Sequence, residues 1–314
     1  MKVLLVTNKT LSNGKDEWLD GGHWNLYLPL KKMGHDVYFY DTRLGPVGSD
    51  TVRGDARDFS KIVDNFKPEL IFCCMTGDPS LTPNEPWDEL TKQTQKGNCK
   101  TFNWFCDDTW RFESFSKHVC KHFHVCSTPE IHYIDRFKEI GYNNIILGFW
   151  HSNIDFYPKG FAKKNDISFC GQLNMDRKHF INYLTEGGID VKNYYGLSTQ
   201  EMLQSIADSR IGINFSKNHN GRPAALQMKG RMVEVPAAKS LLLTEYAPGL
   251  EEHFVIDKEV ITFRSADEMY KKAKFLLKHP GLVKKITDSG HKRFLRDHES
   301  TVRLTDIINK IIEL

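Results

Sequence analysis

The residues with the clearest chemical content lie in Gln227-Met228-Lys229-Gly230-Arg231-Met232-Val233-Glu234-Val235-Pro236-Ala237-Ala238. Gln227, Arg231 and Glu234 stand at i, i+4 and i+7, so a helix would carry all three on one face. Lys229 lies off that face and joins it if the helix starts at Gly230. An arginine with a lysine can clamp a pyrophosphate, the arginine bidentately and the lysine as a point charge. A glutamate beside them can accept both hydroxyls of a ribose. The bland alternative is a surface ion pair between Arg231 and Glu234, worth under ~1 kcal/mol. The residues alone leave these two readings level.

Two further segments invite chemistry. Asp20-Gly21-Gly22-His23-Trp24 falls between a strand and a helix, where glycines admit a ligand and the helix start offers N–H groups to an anion. It is not the GxGxxG fingerprint, which argues against a dinucleotide oxidoreductase or a methyltransferase of the Rossmann type. Cys106-Asp107-Asp108-Thr109-Trp110-Arg111 follows a predicted strand directly. Asp107 or Asp108 there can act as general base on an acceptor hydroxyl; alternatively Asp108 caps a helix and Asp107 pairs with Arg111. His118, Cys120, His122, His124 and Cys126 have metal-ligand chemistry but not metal-ligand spacing, so packing is the reading and no metal is expected.

Short apolar runs must position these groups. In the first half they read as strands at Val3–Thr7, Val37–Asp41, Leu70–Cys74, Thr101–Cys106, Phe123–Ser127 and Ile145–Phe149, with helices at Gly22–Met33, Phe59–Phe66 and Pro129–Ile140. A polar stretch, His151–Asp166, reads as a linker. The pattern then restarts, with strands at Ile167–Gly171, Val191–Tyr195, Ile211–Phe215, Leu241–Thr244 and Val260–Phe263. Helices are expected at Arg177–Gly187, Ser198–Ser209, near Met232–Ala238 and at Ala266–His279. Val302, Leu304, Ile307, Ile308, Ile311 and Ile312 recur near helical spacing, so Ser300–Leu314 is expected to pack one face on a core. Strands alternating with helices make two α/β, doubly wound parallel-sheet domains, 1–155 and 165–297, with a terminal helix over 298–314. Ligands of such sheets bind beyond the carboxyl ends of the strands.

The bulk properties agree. A chain of 314 residues, 40% hydrophobic and 26% charged, is long enough for two packed domains. The net charge of +3 suits an anionic small ligand better than a nucleic acid, which calls for a concentrated basic patch. The N-terminal segment is soon polar, no apolar run approaches the ~18 residues of a membrane span, and seven cysteines lack a disulfide framework. A reduced, cytoplasmic protein is expected.

From Ile167 to about Leu304, above all over Gln227–Phe254 with Leu242-Leu243-Thr244-Glu245-Tyr246-Ala247-Pro248-Gly249-Leu250-Glu251-Glu252, the chain resembles the C-terminal domain of spore-maturation CgeB-type glycosyltransferases, a GT-B branch close to the family-4 transferases. Gly290, Arg293 and His298 continue the likeness. Gly21-Gly22, Leu26, Leu30 and Gly34-His35-Asp36-Val37 are similar to the opening of GT-B enzymes. The resemblance implies two Rossmann-like domains facing across a cleft, with the C-terminal helix packing back. It implies that Glu234 binds the donor ribose and that Lys229 and Arg231, joined by Gln227, face the diphosphate. Gly171 matches the donor-loop glycine, and Arg177 reaches the phosphates from the helix beyond. Thr244, Glu245 and Gly249 lie in the loop whose N–H groups meet the donor, and Gly21, Gly22 and His23 face the sugar. In two places the chain departs from family-4 usage. Leu226 stands where a second glutamate is common, eight positions before Glu234, and the turn Ala238-Lys239-Ser240 has no glycine.

The resemblance further implies a metal-independent hexosyltransferase using a UDP- or GDP-linked sugar as substrate, with no cofactor. The donor docks on the second domain, and a hydroxyl acceptor (glycan, protein or small molecule) on the first. Inversion would use Asp107 or Asp108 as base, with His23 behind them; retention needs no separate base. The rival readings are a GT-B protein that binds sugar nucleotides or glycans without turnover, and a glucosyltransferase of modified DNA bases, in which Trp104, Trp110 and Arg111 would hold a flipped base.

Overall fold

The computed structural model describes residues 1–12, 17–43, 51–53, 58–160, 162–218 and 225–314. Its contacts divide the chain into two units, Met1–Phe149 with Arg303–Leu314, and Trp150–Val302.

In the first unit the strands are β1 (Lys2–Thr7), β2 (Thr10–Ser12), β3 (Glu17–Leu19), β4 (Asp36–Asp41), β5 (Thr51–Arg53), β6 (Leu70–Cys73), β7 (Lys100–Trp104), β8 (Val125–Thr128) and β9 (Ile145–Leu147). Seven form one parallel sheet in the order β5-β4-β1-β6-β7-β8-β9, and β2 with β3 make an antiparallel hairpin after β1. The hairpin and β5 are absent from the sequence reading because Thr10–Ser12, Glu17–Leu19 and Thr51–Arg53 carry no apolar run. Along β1 the pleat sends Leu4 and Val6 to one face and Val3 and Leu5 to the other. The first face is covered by Phe59 and Val63 of the Phe59–Phe66 helix, Leu90 of Trp87–Lys96 and Phe137 of Tyr133–Glu139. The second takes Leu26, Leu30 and, from the Ser300–Glu313 helix, Leu304, Ile307, Ile308 and Ile311. Val302 and Ile312 fall off that stripe and are exposed.

The helix expected over Gly22–Met33 is a π-helical turn, Gly22–Tyr27, followed by an α-helix at Leu28–Lys32. The hydrogen-bond register changes next to Pro29, which has no N–H to give to the preceding turn.

The second unit carries β10 (Asn165–Cys170), β11 (Val191–Tyr194), β12 (Ser209–Asn214), β13 (Leu241–Glu245) and β14 (Ile261–Phe263), all parallel in the order β11-β10-β12-β13-β14. Three of its helices start on sequence-readable caps. Asn174 accepts the Arg177 N–H, Ser198 and Glu201 form a capping box, and Ser265 accepts the Glu268 N–H. In each unit the strand order reverses once, between β1 and β6 and between β10 and β12, so a crevice opens there beyond the carboxyl ends.

The stretch read as a linker begins as ordered structure. Ser152 exchanges backbone hydrogen bonds with His298 and Ser300, His151 Nδ1 lies 2.8 Å from Ser300 Oγ, and Trp150 Nε1 donates to the Met228 carbonyl at 3.0 Å. Among the described residues no helix is long and apolar enough to cross a membrane.

Lys239, in the turn that lacks a glycine, has φ +51° and takes the left-handed conformation that the turn requires. A side chain pays roughly 1–2 kcal/mol there, partly offset by its smaller unfolded-state entropy relative to glycine. Lys239→Gly is expected to raise the unfolding free energy by about 1 kcal/mol, read as a shift of a few degrees in a thermal melt; an unchanged or lower midpoint would contradict this account.

Candidate functional site

At the reversal point of the second unit, β10 runs into Gly171. A Cβ at Gly171 would stand 2.9 Å from the Phe169 ring, so only glycine lets the chain turn there. The Met175–Glu186 helix starts four residues on and brings Arg177 back over the strand ends. Its Nη1 donates to the Gln172 carbonyl at 3.0 Å, and its guanidinium lies over Phe169 at 5.6 Å and Phe215 at 6.0 Å. Burial pulls the Arg177 pKa down to about 10, with nearby Arg231 adding to the effect and Glu245 opposing it. It remains a cation at neutral pH, and its buried Nε has no hydrogen-bond partner among the described residues.

The chain leaving β12 is held by Glu245, the last residue of β13. Glu245 Oε2 accepts the N–H groups of Ser216 and Lys217, each at 2.9 Å, and its carbonyl accepts Ser216 Oγ at 2.7 Å. Lys217 then pairs with Leu226 in an antiparallel bridge, and Gln227 N–H donates to the Ser216 carbonyl at 3.0 Å. The expectation that Gln227, Arg231 and Glu234 share a helix face is thereby corrected. The helix spans Arg231–Ala237, and Gln227, 1% exposed, lies on the extended approach to it together with Lys229. The N–H of Gln227 is held by the Ser216 carbonyl and Leu226 pairs with Lys217, which keeps this segment out of the helix.

Arg231 Nη1 donates to Glu234 Oε2 at 2.5 Å and contacts Met202 Sδ at 3.0 Å. The ion pair considered as the bland alternative therefore forms, but both side chains are only about one-fifth exposed (19% and 20%). Arg231, Gly171, Tyr194, Tyr195, Leu197 and Met202 line a cavity of about 90 Å³ beyond β10 and β11. A second cavity of about 290 Å³, beyond β12, β13 and β14, is lined by Arg177, Phe215, Lys217, Glu245 and Arg264 among others. Lys217 Nζ is paired with Asp176 Oδ2 at 2.6 Å, and Arg264 lies over the Tyr246 ring at 3.6 Å.

Of the candidate donor residues, Gly171, Arg177, Arg231 and Glu234 come together, and Gln227 and Glu245 brace them. Lys229 is half-buried on the segment before Arg231. Thr244 is spent inside the sheet, its hydroxyl accepting from Asn214 Nδ2 and donating to the Glu245 carbonyl, both at 2.9 Å. Gly249, at φ +88°, opens the 3-10 turn Leu250–Glu252. Lys217, Arg264, Tyr195, Leu197 and Met202 are not singled out by the sequence; Tyr194-Tyr195-Gly196 directly after a strand is the signal that could have marked the smaller cavity.

In the first unit, Gly21, Gly22 and His23 sit beyond the carboxyl end of β1, and Asp107 and Asp108 beyond β7. A Cβ on Gly22 would come 2.7 Å from the Asn8 carbonyl oxygen, and His23 packs edge-on to Trp24 with centroids 5.1 Å apart. Asp107 is half-buried, and its carbonyl accepts the N–H groups of Trp110 and Arg111. Its side chain does not cap the short helix it precedes. Arg111 instead donates to the Thr76 carbonyl and stacks on Phe115 at 4.1 Å. Asp108 is 0% exposed and neither oxygen makes a well-formed hydrogen bond. Burial raises its pKa to about 6, tempered by the nearby Ser116 and Thr128 hydroxyls.

The histidines and cysteines of 118–126 have separate partners. His122 Nδ1 meets Thr91 Oγ1 at 2.6 Å, His124 Nδ1 accepts the Thr101 N–H at 3.1 Å, and Cys120 and Cys126 are buried thiols whose pKa burial pushes up. Among the described residues no group of three or more His, Cys, Asp or Glu is placed to hold a metal ion.

Two doubly wound parallel sheets in one chain, with the last helix returned to the first sheet, are the GT-B architecture, and the protein is an enzyme of the glycosyltransferase class. Residues 167–309 match the model of the family described as glycosyl transferase-like. No curated protein matches the sequence. Among solved structures the fold is similar to a glycosyltransferase from Rickettsia africae ESF-5, at TM-score 0.67 and 11% identity over 99% of this chain and 98% of that one. It is similar to HepE from Anabaena in complex with UDP-glucose, at TM-score 0.65 and 11% identity over the full length of both. An α-glucosyltransferase in complex with UDP-glucose and DNA containing an abasic site matches at TM-score 0.65 and 10% identity over 99% of each chain.

Asp108 yields a pH-dependent expectation. Its folded pKa, about 6, lies above the ordinary 3.8, so the folded state is favoured while the group is neutral and loses that advantage as pH rises from about 4 to 6. The full penalty is about 3 kcal/mol. Asp108→Asn is expected to gain stability over the parent by up to that amount in denaturant melts at pH 7.5 relative to the same comparison at pH 4. An equal difference at the two pH values would count against a buried, near-neutral carboxyl.

Proposed function

We propose that the chain is a CgeB-type glycosyltransferase that takes a sugar from a UDP- or GDP-linked donor on its C-terminal unit and passes it to a hydroxyl acceptor on its N-terminal unit. The observation that carries the reading is the convergence of Gly171, Arg177 and the Arg231–Glu234 pair at one end of one sheet. Glu234 takes the ribose hydroxyls, and Arg177, Arg231 and Lys229 take the diphosphate. The smaller cavity, walled by Tyr194, Tyr195, Leu197 and Met202, takes the base. As the sugar–phosphate bond breaks, charge builds on the diphosphate, and fixed guanidinium groups in a poorly solvated site stabilise it most where it is greatest. In an inverting reaction Asp107, the more accessible of the two carboxylates, serves as base on the acceptor. HepE, bound to UDP-glucose on a fold of the same kind, supports the nucleotide class. The seven free thiols support a reducing, cytoplasmic setting.

Binding of a nucleoside diphosphate to the folded state alone raises its stability by about 2.7 kcal/mol at a hundredfold excess over Kd. UDP or GDP is therefore expected to raise the melting temperature, and Glu234→Ala to weaken that ligand by roughly 100-fold, the loss of a bidentate contact to a charged group. Release of the sugar or its transfer from the matching donor is expected to persist in excess EDTA. Nucleotide binding without turnover would favour the non-catalytic reading, and binding undiminished in Glu234→Ala would place the nucleotide elsewhere.

A further inference from the structure

At the amino-terminal end of the second unit's sheet, away from the candidate donor site, lies another cavity, of about 250 Å³. It forms where the Ala266–Lys278 and Pro280–Arg293 helices meet the start of β12. Ile211, Leu276 and Val283 give it apolar walls, and all three belong to the buried core. Lys163, Arg210, Lys239 and Lys284 also line it, against one acidic side chain, Asp288. We propose that this cavity binds a small organic anion, a carboxylate carried on an aromatic ring or a short hydrocarbon chain.

Two of the four cations are already paired, Arg210 with Asp166 at 3.3 Å and Lys284 with Asp288 at 2.5 Å. Lys163 and Lys239 have no such carboxylate among the described residues. Lys163 Nζ donates to the Ala207 carbonyl at 2.8 Å, Ser240 Oγ at 2.9 Å and the Ala238 carbonyl at 3.3 Å, neutral acceptors that leave its charge uncancelled. Burial pulls its pKa down to about 8, with Asp208 opposing and the charge of Lys239 adding, so it is still a cation at pH 7. Lys239 itself stands at φ +51°, where a glycine would sit at less cost. A residue held in strained backbone, repelling a second cation beside an apolar cavity, is the kind of outlier that points to a ligand. A bound anion relieves that repulsion, and the apolar walls supply the rest of the affinity. An apolar cavity of about 150 Å³ takes benzene, so this one has room for a ring and a short acidic arm.

Calorimetry of the full-length protein at low salt with phenylpropionate, phenylpropanol and phenylpropylamine compares the same body with an anionic, a neutral and a cationic end. The anion is expected to bind roughly tenfold or more tighter than the amine, with the alcohol between them. Lys239→Glu is expected to weaken the anion about tenfold while the alcohol changes less than about twofold. Thr287→Trp, which fills the cavity from a half-buried position on its wall, is expected to abolish binding of all three. A thermal melt checks that each variant is folded; Lys239→Glu, on an exposed turn, decides alone if Thr287→Trp does not fold. No binding of the anion to the parent, equal affinities for the three compounds, or an anion undiminished in Lys239→Glu would each overturn the proposal. So would retention of the anion by folded Thr287→Trp. None of these outcomes bears on the nucleotide, whose candidate site lies at the other end of β12.

Discussion

The candidate donor site depends on one carboxylate that touches no ligand in the proposed reading. Glu245, at the end of β13, accepts two consecutive N–H groups, those of Ser216 and Lys217. That anchors the chain as it leaves β12 and decides where the return segment runs. Gln227 follows by bonding to Ser216, and the Arg231–Ala237 helix begins four residues later. Without that brace, nothing on β12 would aim Lys217 or the Arg231–Glu234 pair at the strand ends. A carboxylate accepting two backbone donors is well satisfied, so it holds the loop rigid.

The electrostatics of the site are arranged before any ligand arrives. Arg231 is already paired with Glu234, and Arg177 is already stacked on two aromatic rings with its charge partly desolvated. Two cations held close together repel each other, and a diphosphate relieves that repulsion. The Arg231–Glu234 pair reconciles the two readings of its sequence: it is an ion pair, and it is also a preformed fork that keeps both side chains in fixed rotamers beside a cavity.

Buried polar groups distinguish the two units. In the first, Asp108 is sealed beneath the end of β7 while Asp107, one residue earlier, keeps partial access. Adjacent carboxylates on one strand end thus occupy different environments, and burial raises the Asp108 pKa. In the second, both amide atoms of the buried Asn218 lack a hydrogen-bond partner among the described residues.

Alternation of apolar runs with amphipathic stretches is enough to name two doubly wound sheets, because pleat and helix periods are properties of the local chain. The Asn174 and Ser198 caps are equally local and lie in plain view. The resemblance from Ile167 to about Leu304 adds Gly171, Arg177, Arg231 and Glu234, and the fold brings those four to one end of one sheet. The tertiary structure decided what local sequence cannot express. Gln227 leaves its expected helix because its N–H finds Ser216, eleven residues back, and Thr244 is consumed by Asn214 on a neighbouring strand. Lys217, Arg264 and Tyr195 join the site only because parallel pairing gathers the ends of separate strands. Which polar group is satisfied, and which is left for a ligand, depends on neighbours distant in the chain.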